Sequence, residues 1–288
     1  MNKILVTGAT GQMGGTVIAT LLKQIAPQQI NVISRSAEKM ATMKAAGIHT
    51  FTGNYDDVLS LEKAMAGVDT VLLISGGDQG DRMQEHRNVI DVAKKMGVEN
   101  MAYTSRSLRD RTTLANKLME EHFATEDYIK ASGLKYIIFQ NALYMDVLPQ
   151  FVGQNVLETG IFQPAGDGKV AYALRKEQAE AMANVLLAEK FDNQTYRFTG
   201  NEAYSFHDIA DTLSELSGKK VQYNAIEVEQ YETMMSQRGL PIFVIKKIAS
   251  FILDIKNGQE DQITNDLAMK LGRKPATLKE GLKELFGY

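Results

Sequence analysis

Cysteine is absent from all 288 residues. Without a thiol there is no disulfide, no thiolate metal site, no iron–sulfur cluster and no cysteine nucleophile. The same absence lends nothing to a secreted fold held by disulfides. An excess of positive charge is missing as well. Lys and Arg number 32 against 35 Asp and Glu, for a net charge of -3. That balance removes the electrostatic basis for binding nucleic acid. Long hydrophobic runs are missing too: none approaches the roughly 20 apolar residues of a membrane helix. The most apolar late stretch, Pro241 to Leu253, is broken by Lys246 and Lys247. It reads as an amphipathic helix or a lid. Ile4-Leu5-Val6 is too short for a signal-peptide core, and no cleavage-like site follows it. Four histidines occur, His49, His86, His122 and His207, without His-x-x-x-His clustering, so no metal site is expected. What remains is a cytoplasmic, soluble globular chain, 44% apolar and 23% charged. Neither nucleic acid nor membrane is an expected partner, and the oligomeric state, monomer or homodimer, is left open.

The first half alternates two patterns. Short β-branched runs fall at Lys3–Thr7, Ile30–Ser34, His49–Gly53, Thr70–Ser75, Asn100–Ser105 and Lys135–Gln140. Stripes of helical period separate them, such as Val17, Leu21, Leu22 and Ile25, or Val89, Ile90, Ala93 and Met96. Gly47, Gly67, Gly97 and Gly133 stand where C-cap glycines belong, after a helix and before a strand. This order predicts an α/β fold, a Rossmann-type doubly wound parallel sheet with right-handed crossovers. After about Asn141 the regularity fades. Ser205 reads as the N-cap of a helix Phe206–Ser217 that stops at Gly218. The expected division is a nucleotide-binding domain over 1–150, with a later return segment, and a smaller C-terminal α/β substrate lobe over 151–288.

One motif carries chemistry. Ile4-Leu5-Val6-Thr7 runs into Gly8-Ala9-Thr10-Gly11-Gln12-Met13-Gly14 and then a helix. Gly8 permits a sharp turn, Gly11 lets a pyrophosphate approach the backbone, and Gly14 lets the helix pack close. The helix N-terminus then offers free N–H groups and positive partial charge to a diphosphate. An NAD site carries Asp or Glu at the end of the second strand. Here that strand ends in Ser34-Arg35-Ser36. Arg35 can pair with a 2′-phosphate, so NADP(H) is expected ahead of NAD(H). Asn54, after the third run, either flanks the adenine or belongs to an ordinary turn.

Ligands of open α/β sheets bind beyond the C-terminal strand ends. That singles out Ser75 and Gly76, Thr104 and Ser105, and Asn141 to Tyr144. Gly76 either makes room for a ribose or is a plain turn glycine. Ala115, Leu118, His122, Thr125 and Ile129 recur at three- and four-residue steps, which predicts one helix over Leu114 to Ser132 with His122 facing inward. Glu126, one turn on, is placed to orient His122. His122 is then either a proton donor or a buried, satisfied histidine. His86, within Glu85-His86-Arg87-Asn88, is a weaker candidate for ligand contact.

The glycine motif resembles the short-chain dehydrogenase/reductase superfamily in its NmrA-like branch. So do Leu72-Leu73-Ile74-Ser75, His86-Arg87-Asn88-Val89-Ile90, Ala102-Tyr103-Thr104-Ser105, Glu121-His122 and Asn141-Ala142-Leu143-Tyr144. Within that branch the chain is most similar to the bacterial type 2 NAD(P)H:quinone oxidoreductases. The resemblance implies NADPH use, no flavin, no metal, and a small quinone or another electrophilic small molecule as substrate. The superfamily's usual Tyr-x-x-x-Lys pair departs from this pattern. Its one match, Tyr172 to Lys176, falls far too late in the chain. The predicted helix supplies His122 instead. Quinone reduction needs no such dyad, because hydride can pass directly to an electron-poor ring while donors meet the developing oxyanion. His122 and Asn141 are the expected donors, and Tyr144 the expected pocket residue. The NmrA-like branch also implies an alternative, a cofactor-binding redox sensor without catalytic activity.

Overall fold

The computed structural model describes residues 3–77, 80–153 and 155–288. Its first half runs β1 (Ile4–Val6), α1 (Gln12–Leu21), β2 (Ile30–Ser34), α2 (Ala41–Ala45), β3 (His49–Thr52), α3 (Val58–Met65), β4 (Thr70–Leu73), α4 (Arg82–Lys95), β5 (Asn100–Arg106), α5 (Glu120–Ser132) and β6 (Lys135–Asn141). There follow α6 (Leu148–Val152), α7 (Val156–Thr159), β7 (Ile161–Gln163), β8 (Lys169–Val170), α8 (Arg175–Ala188), β9 (Gln194–Phe198), β10 (Tyr204–Ser205), α9 (Phe206–Ser217) and β11 (Tyr223–Ala225). The chain closes with α10 (Val228–Gln237), α11 (Ile242–Lys256), α12 (Asp266–Leu271) and α13 (Leu278–Phe286).

The main sheet has seven strands in the order β3-β2-β1-β4-β5-β6-β9. β1 pairs in parallel with β2 and β4, β2 with β3, and β4 with β5. All residues of β1 and β4 are buried, as expected of strands covered on both faces. β3, at the edge, is the polar run His49-Thr50-Phe51-Thr52. The chain winds outward from β1 to β3, then re-enters on the other side of β1 as β4. That reversal places the crevice of the sheet at the C-terminal ends of β1 and β4, where the glycine motif begins.

The molecule divides into two compact units, each drawn from three segments. The first comprises Met1–Arg106, Glu121–Gln140 and Arg175–Arg197; the second comprises Ser107–Glu120, Asn141–Leu174 and Phe198–Tyr288. The units thus interleave: the first includes a later return segment, Arg175–Arg197, and the second also takes Ser107–Glu120. The reason lies in α8, which packs along α1. Its buried side chains include Ala179, Ala181 and Ala183, small enough to admit close helix contact. The second unit has its own core, with Leu148, Ile161, Phe206, Ile209, Leu213 and Ile252 among its members. β7 pairs in parallel with β11, and β8 antiparallel with β10. Ser205 caps α9 in a capping box with Asp208, and Gly218 ends it in the left-handed conformation at φ 70°. Among the described residues no helix is long and apolar enough to cross a membrane.

The predicted helix over Leu114 to Ser132 begins later than its period suggests. Side-chain acceptors claim its first amides. Asp254 of α11 accepts from Ala115 N at 2.7 Å and from Asn116 N at 3.0 Å. Asn116 Oδ1 accepts from Leu118 N, and a 3-10 turn over Lys117–Met119 follows before α5 opens at Glu120. Gln259 holds the same segment, accepting from Asp110 N and donating to Thr113 Oγ1, each at 2.8 Å. Asp254 and Gln259 are both buried, and the Asn116–Asp254 bond is shielded from water.

Candidate functional site

The glycine turn is built by backbone contact. Gly8 has φ +58°, a conformation a side chain rarely adopts. Gly14 answers to a different constraint. A Cβ there would lie 2.4 Å from Gly8 O and 2.8 Å from Ala9 Cα. The glycine therefore lets the helix sit on its own turn, which is closer packing than the sheet contact expected from the motif. At Gly11 a Cβ would meet only Gly8 O, at 3.3 Å, so its outer side is open. Ala9, Met13 and Gly14 are buried, while Gly11 and Gln12 are exposed. α1 has no side-chain cap and no acidic residue in its first turn. In the same unit, α3 and α4 are capped by Asp57 and Asp81. An uncapped N-terminus with glycines around it suits an anion.

Side chains lace the neighbouring strand ends. Thr10 Oγ1 lies 3.1 Å from Ser34 Oγ at the end of β2. The Tyr55 hydroxyl lies 2.7 Å from Thr7 Oγ1 and 2.8 Å from Ile74 O, joining the ends of β1, β3 and β4. Burial lifts that phenol well above its usual range. Arg35, in the bend after β2, is exposed. Its charge is felt at both Tyr55 and Glu85. Glu85 is raised first by desolvation and then by Asp56, with Arg35 opposing. An exposed guanidinium at the β2 end suits a 2′-phosphate, and Arg35→Ala should weaken NADPH binding about tenfold with NADH unchanged. Parallel calorimetric titrations check this. Asn54 commits its Oδ1 to the amides of Asp56 and Asp57, each at 2.8 Å. Only its Nδ2 can serve a ligand.

The loop after β4 hangs from two buried side chains. Ser75 N donates to Thr104 Oγ1 at 2.8 Å, and Gly76 N donates to His86 Nε2 at 3.0 Å. Gly76 has no positive φ, so turn conformation does not require it. A Cβ there would approach Glu85 Oε2 to 2.7 Å. His86 is fully buried, and its Nδ1 lies 2.9 Å from Thr125 Oγ1. A backbone amide can only donate, so Nε2 is the acceptor and Nδ1 carries the proton. His86 thus shapes the loop through its backbone. Burial, with the Arg82 guanidinium second, holds its pKa down to about 3. The folded state refuses a proton that the unfolded chain accepts below about 6.5. Stability from this source is therefore complete above that pH and falls as pH drops toward 3. Between about pH 7 and 5 His86 should cost roughly 2 kcal/mol, measurable by urea unfolding at the two pH values.

His122 is buried at 7% exposure, with Nδ1 3.0 Å from the Tyr103 hydroxyl. Burial is the main cause of a pKa held far below the usual imidazole range; Arg82, Arg106 and His86 add to it. That direction favours the neutral imidazole over the imidazolium. Glu126 does not orient it, contrary to the one-turn spacing. Glu126 instead accepts from Ser105 Oγ at 2.5 Å and Gln140 Nε2 at 3.0 Å, with Lys130 Nζ at 3.3 Å. Tyr103 carries no role in the sequence reading. The period of two that puts Met101, Tyr103 and Ser105 on one face of β5 was the available signal. Arg82, 2% exposed and 3.4 Å from Glu121, was equally hidden in a polar run.

Asn141 ends β6 fully buried, and neither Nδ2 nor Oδ1 has a hydrogen-bond partner among the described residues. A buried amide with both ends unmet costs about 1–3 kcal/mol per group, which makes Asn141 a candidate for ligand contact. Its backbone is satisfied, with Asn141 O accepting from Ser107 N at 2.9 Å. Tyr144 is half-buried and bridges to Ala173. Tyr172 is buried in the second unit's core, while Lys176 lies in the first turn of α8, in the first unit. His49 and His207 are exposed. No group of three or more metal-ligating side chains occurs among the described residues.

Known proteins are similar to this chain over nearly its whole length. The NmrA-like family matches residues 1–282. Quinone oxidoreductase 2 of Escherichia coli K12 is 34% identical over 98% of both chains. The structure of an E. coli NADPH-dependent quinone oxidoreductase complexed with NADPH has a TM-score of 0.92 at 32% identity, covering 98% of this chain and 99% of that one. The Citrobacter sp. triphenylmethane reductase complexed with NADP(H) has a TM-score of 0.92 at 35% identity, covering 98% and 100%. The chain belongs to the NmrA-like family and is an oxidoreductase within it.

Proposed function

We propose that the protein uses NADPH to reduce quinones and related conjugated, electron-poor acceptors by direct hydride transfer without a flavin. The observation that carries this is 34% identity to a quinone oxidoreductase over 98% of both chains. A triphenylmethane reductase and, at 29% identity, an NAD(P)H azoreductase of Xenophilus azovorans are relatives too. Quinone, triarylmethane dye and azo compound share one property, a conjugated system that accepts electrons readily.

The residues fit the cofactor. The amides after Gly11 receive the pyrophosphate, with Ala9, Thr10, Gln12 and Met13 in the same turn, and Arg35 takes the 2′-phosphate. Ser75, Gly76 and Thr104 form the side on which the ribose and nicotinamide pass, and Asn141 offers its unmet amide to the ligand. Bound NADPH supplies the hydride. The chain's task is to orient the acceptor and meet the oxyanion that forms. His122, being neutral, does so by donating a hydrogen bond, and the hydroquinone anion takes its proton from water. Tyr144 lines the pocket. The proteins compared include a transcriptional regulator complexed with NAD, but at 13% identity that likeness concerns the fold alone. The test is NADPH oxidation with 1,4-benzoquinone and a panel of small quinones. Turnover well above the uncatalysed rate is expected; inertness toward the whole panel, with NADPH and NADP⁺ bound equally, would favour a redox sensor.

A further inference from the structure

We propose that Tyr103 is a positioning residue that fixes His122 in its Nε2–H tautomer, opposite to the tautomer of its buried neighbour His86. The inference rests on the reading of His122 as a hydrogen-bond donor, but its structural half stands apart from activity.

The argument follows protons through the network around α5. Gly76 N can only donate, so His86 Nε2 accepts and His86 Nδ1–H points to Thr125 Oγ1. Thr125 gives its own proton to Glu121 O at 2.8 Å, a carbonyl that can only accept. Every bond of that chain has its direction forced. Tyr103 lies beside it, with its ring 5.4 Å from that of His86 and edge-on. The Tyr103 hydroxyl has one proton; Thr125 and Ser75 also hydrogen-bond it and are able to donate to its oxygen, and His122 Nδ1 stands 3.0 Å away. A phenol is a better donor than acceptor, and a neutral imidazole nitrogen is the strongest neutral base in this cluster. Tyr103 therefore donates to Nδ1. The ring proton is left on Nε2, because the bond at one ring nitrogen decides the state of the other.

The consequence is functional. A neutral histidine whose Nε2 bore only a lone pair would repel a developing oxyanion; with Nε2–H it donates. Tyr103 makes the difference without touching the reacting atoms. Its complete burial keeps water from competing for the bond. His86 serves as an internal reference within the same molecule, with its proton on Nδ1.

The experiment is long-range ¹H–¹⁵N NMR on full-length protein labelled with ¹⁵N-histidine. Four histidines give a spectrum simple enough to assign by single substitutions. His86 is expected as Nδ1–H and His122 as Nε2–H, both unchanged between about pH 5 and 8. In Tyr103→Phe the His122 preference should be lost, while His86 stays as it was. Turnover of Tyr103→Phe should fall roughly tenfold with KM for NADPH unchanged. Finding His122 as Nδ1–H in the unsubstituted protein overturns the proposal, and so does an unaltered His122 spectrum in Tyr103→Phe. The unsubstituted spectrum decides even if the variant fails to fold. Should the tautomers be as stated while His122→Ala keeps full activity, the catalytic reading fails and the structural one survives.

Discussion

Gly14→Ala should lose NADPH binding by about 10²-fold, while Gly15→Ala, one residue on, should keep it. The two glycines share a helix turn and differ in what a methyl group would meet. At Gly14 the added Cβ lies 2.4 Å from Gly8 O, 2.9 Å from Gly8 C and 2.8 Å from Ala9 Cα. All three are backbone atoms of the turn itself. None can rotate away, so the turn must open, and the amides that face the pyrophosphate move with it. Overpacking of this kind costs about 1–3 kcal/mol in stability as well, and a lower Tm should accompany the lost affinity. At Gly15 the nearest atom is Ala9 O at 3.9 Å, an ordinary contact. Alanine there should raise stability by up to about 1 kcal/mol through helix propensity. Thermal unfolding of both variants, with and without NADPH, reads the contrast directly. Equal affinity in the two variants would remove the turn from cofactor binding.

His122→Ala should lower kcat for quinone reduction by about 10²-fold, the usual cost of one oxyanion donor, and leave the Kd for NADPH unchanged. The side chain belongs to α5, not to the glycine turn, so cofactor affinity is not expected to follow. The unsubstituted enzyme should show no inflection near the ordinary histidine pKa in its pH–rate profile, because burial keeps His122 uncharged through that range. A rate that falls as pH rises through about 6.5 would identify an imidazolium acid instead. Alanine also removes one hydrogen-bond partner of the buried Tyr103 hydroxyl, so some loss of stability is expected beside the kinetic effect. Stability and kcat are separated by assaying well below the variant's Tm.

The residues that were legible in sequence are those whose roles are local. Gly8 announces a turn, Ser205 and Gly218 mark the two ends of α9, and Gly47, Gly67, Gly97 and Gly133 all take positive φ after their helices. Alternation of strand and helix was enough for the parallel sheet, because each crossover unit is contiguous in the chain. What stayed hidden depends on pairing across space. Periodicity puts His122 and Glu126 on the inward face of α5, but only the packing of that helix on β5 shows that Tyr103 takes one and Ser105 the other. The late start of α5 could not be read either, since the acceptor that ends its N-terminal extension is Asp254, far along the chain. A later return to the first unit is expected from sequence, but only the structure assigns it to α8. Asn141 lies between these cases. The rule that ligands gather at C-terminal strand ends points to it, whereas its two unmet polar atoms need the structure.

A calorimetric titration of the purified protein with NADPH, and then with NADH, tests the whole account most directly. It predicts saturable binding of NADPH, about tenfold tighter than NADH, because the Arg35 guanidinium meets a phosphate that NADH lacks. Absence of saturable binding by both nucleotides would contradict it.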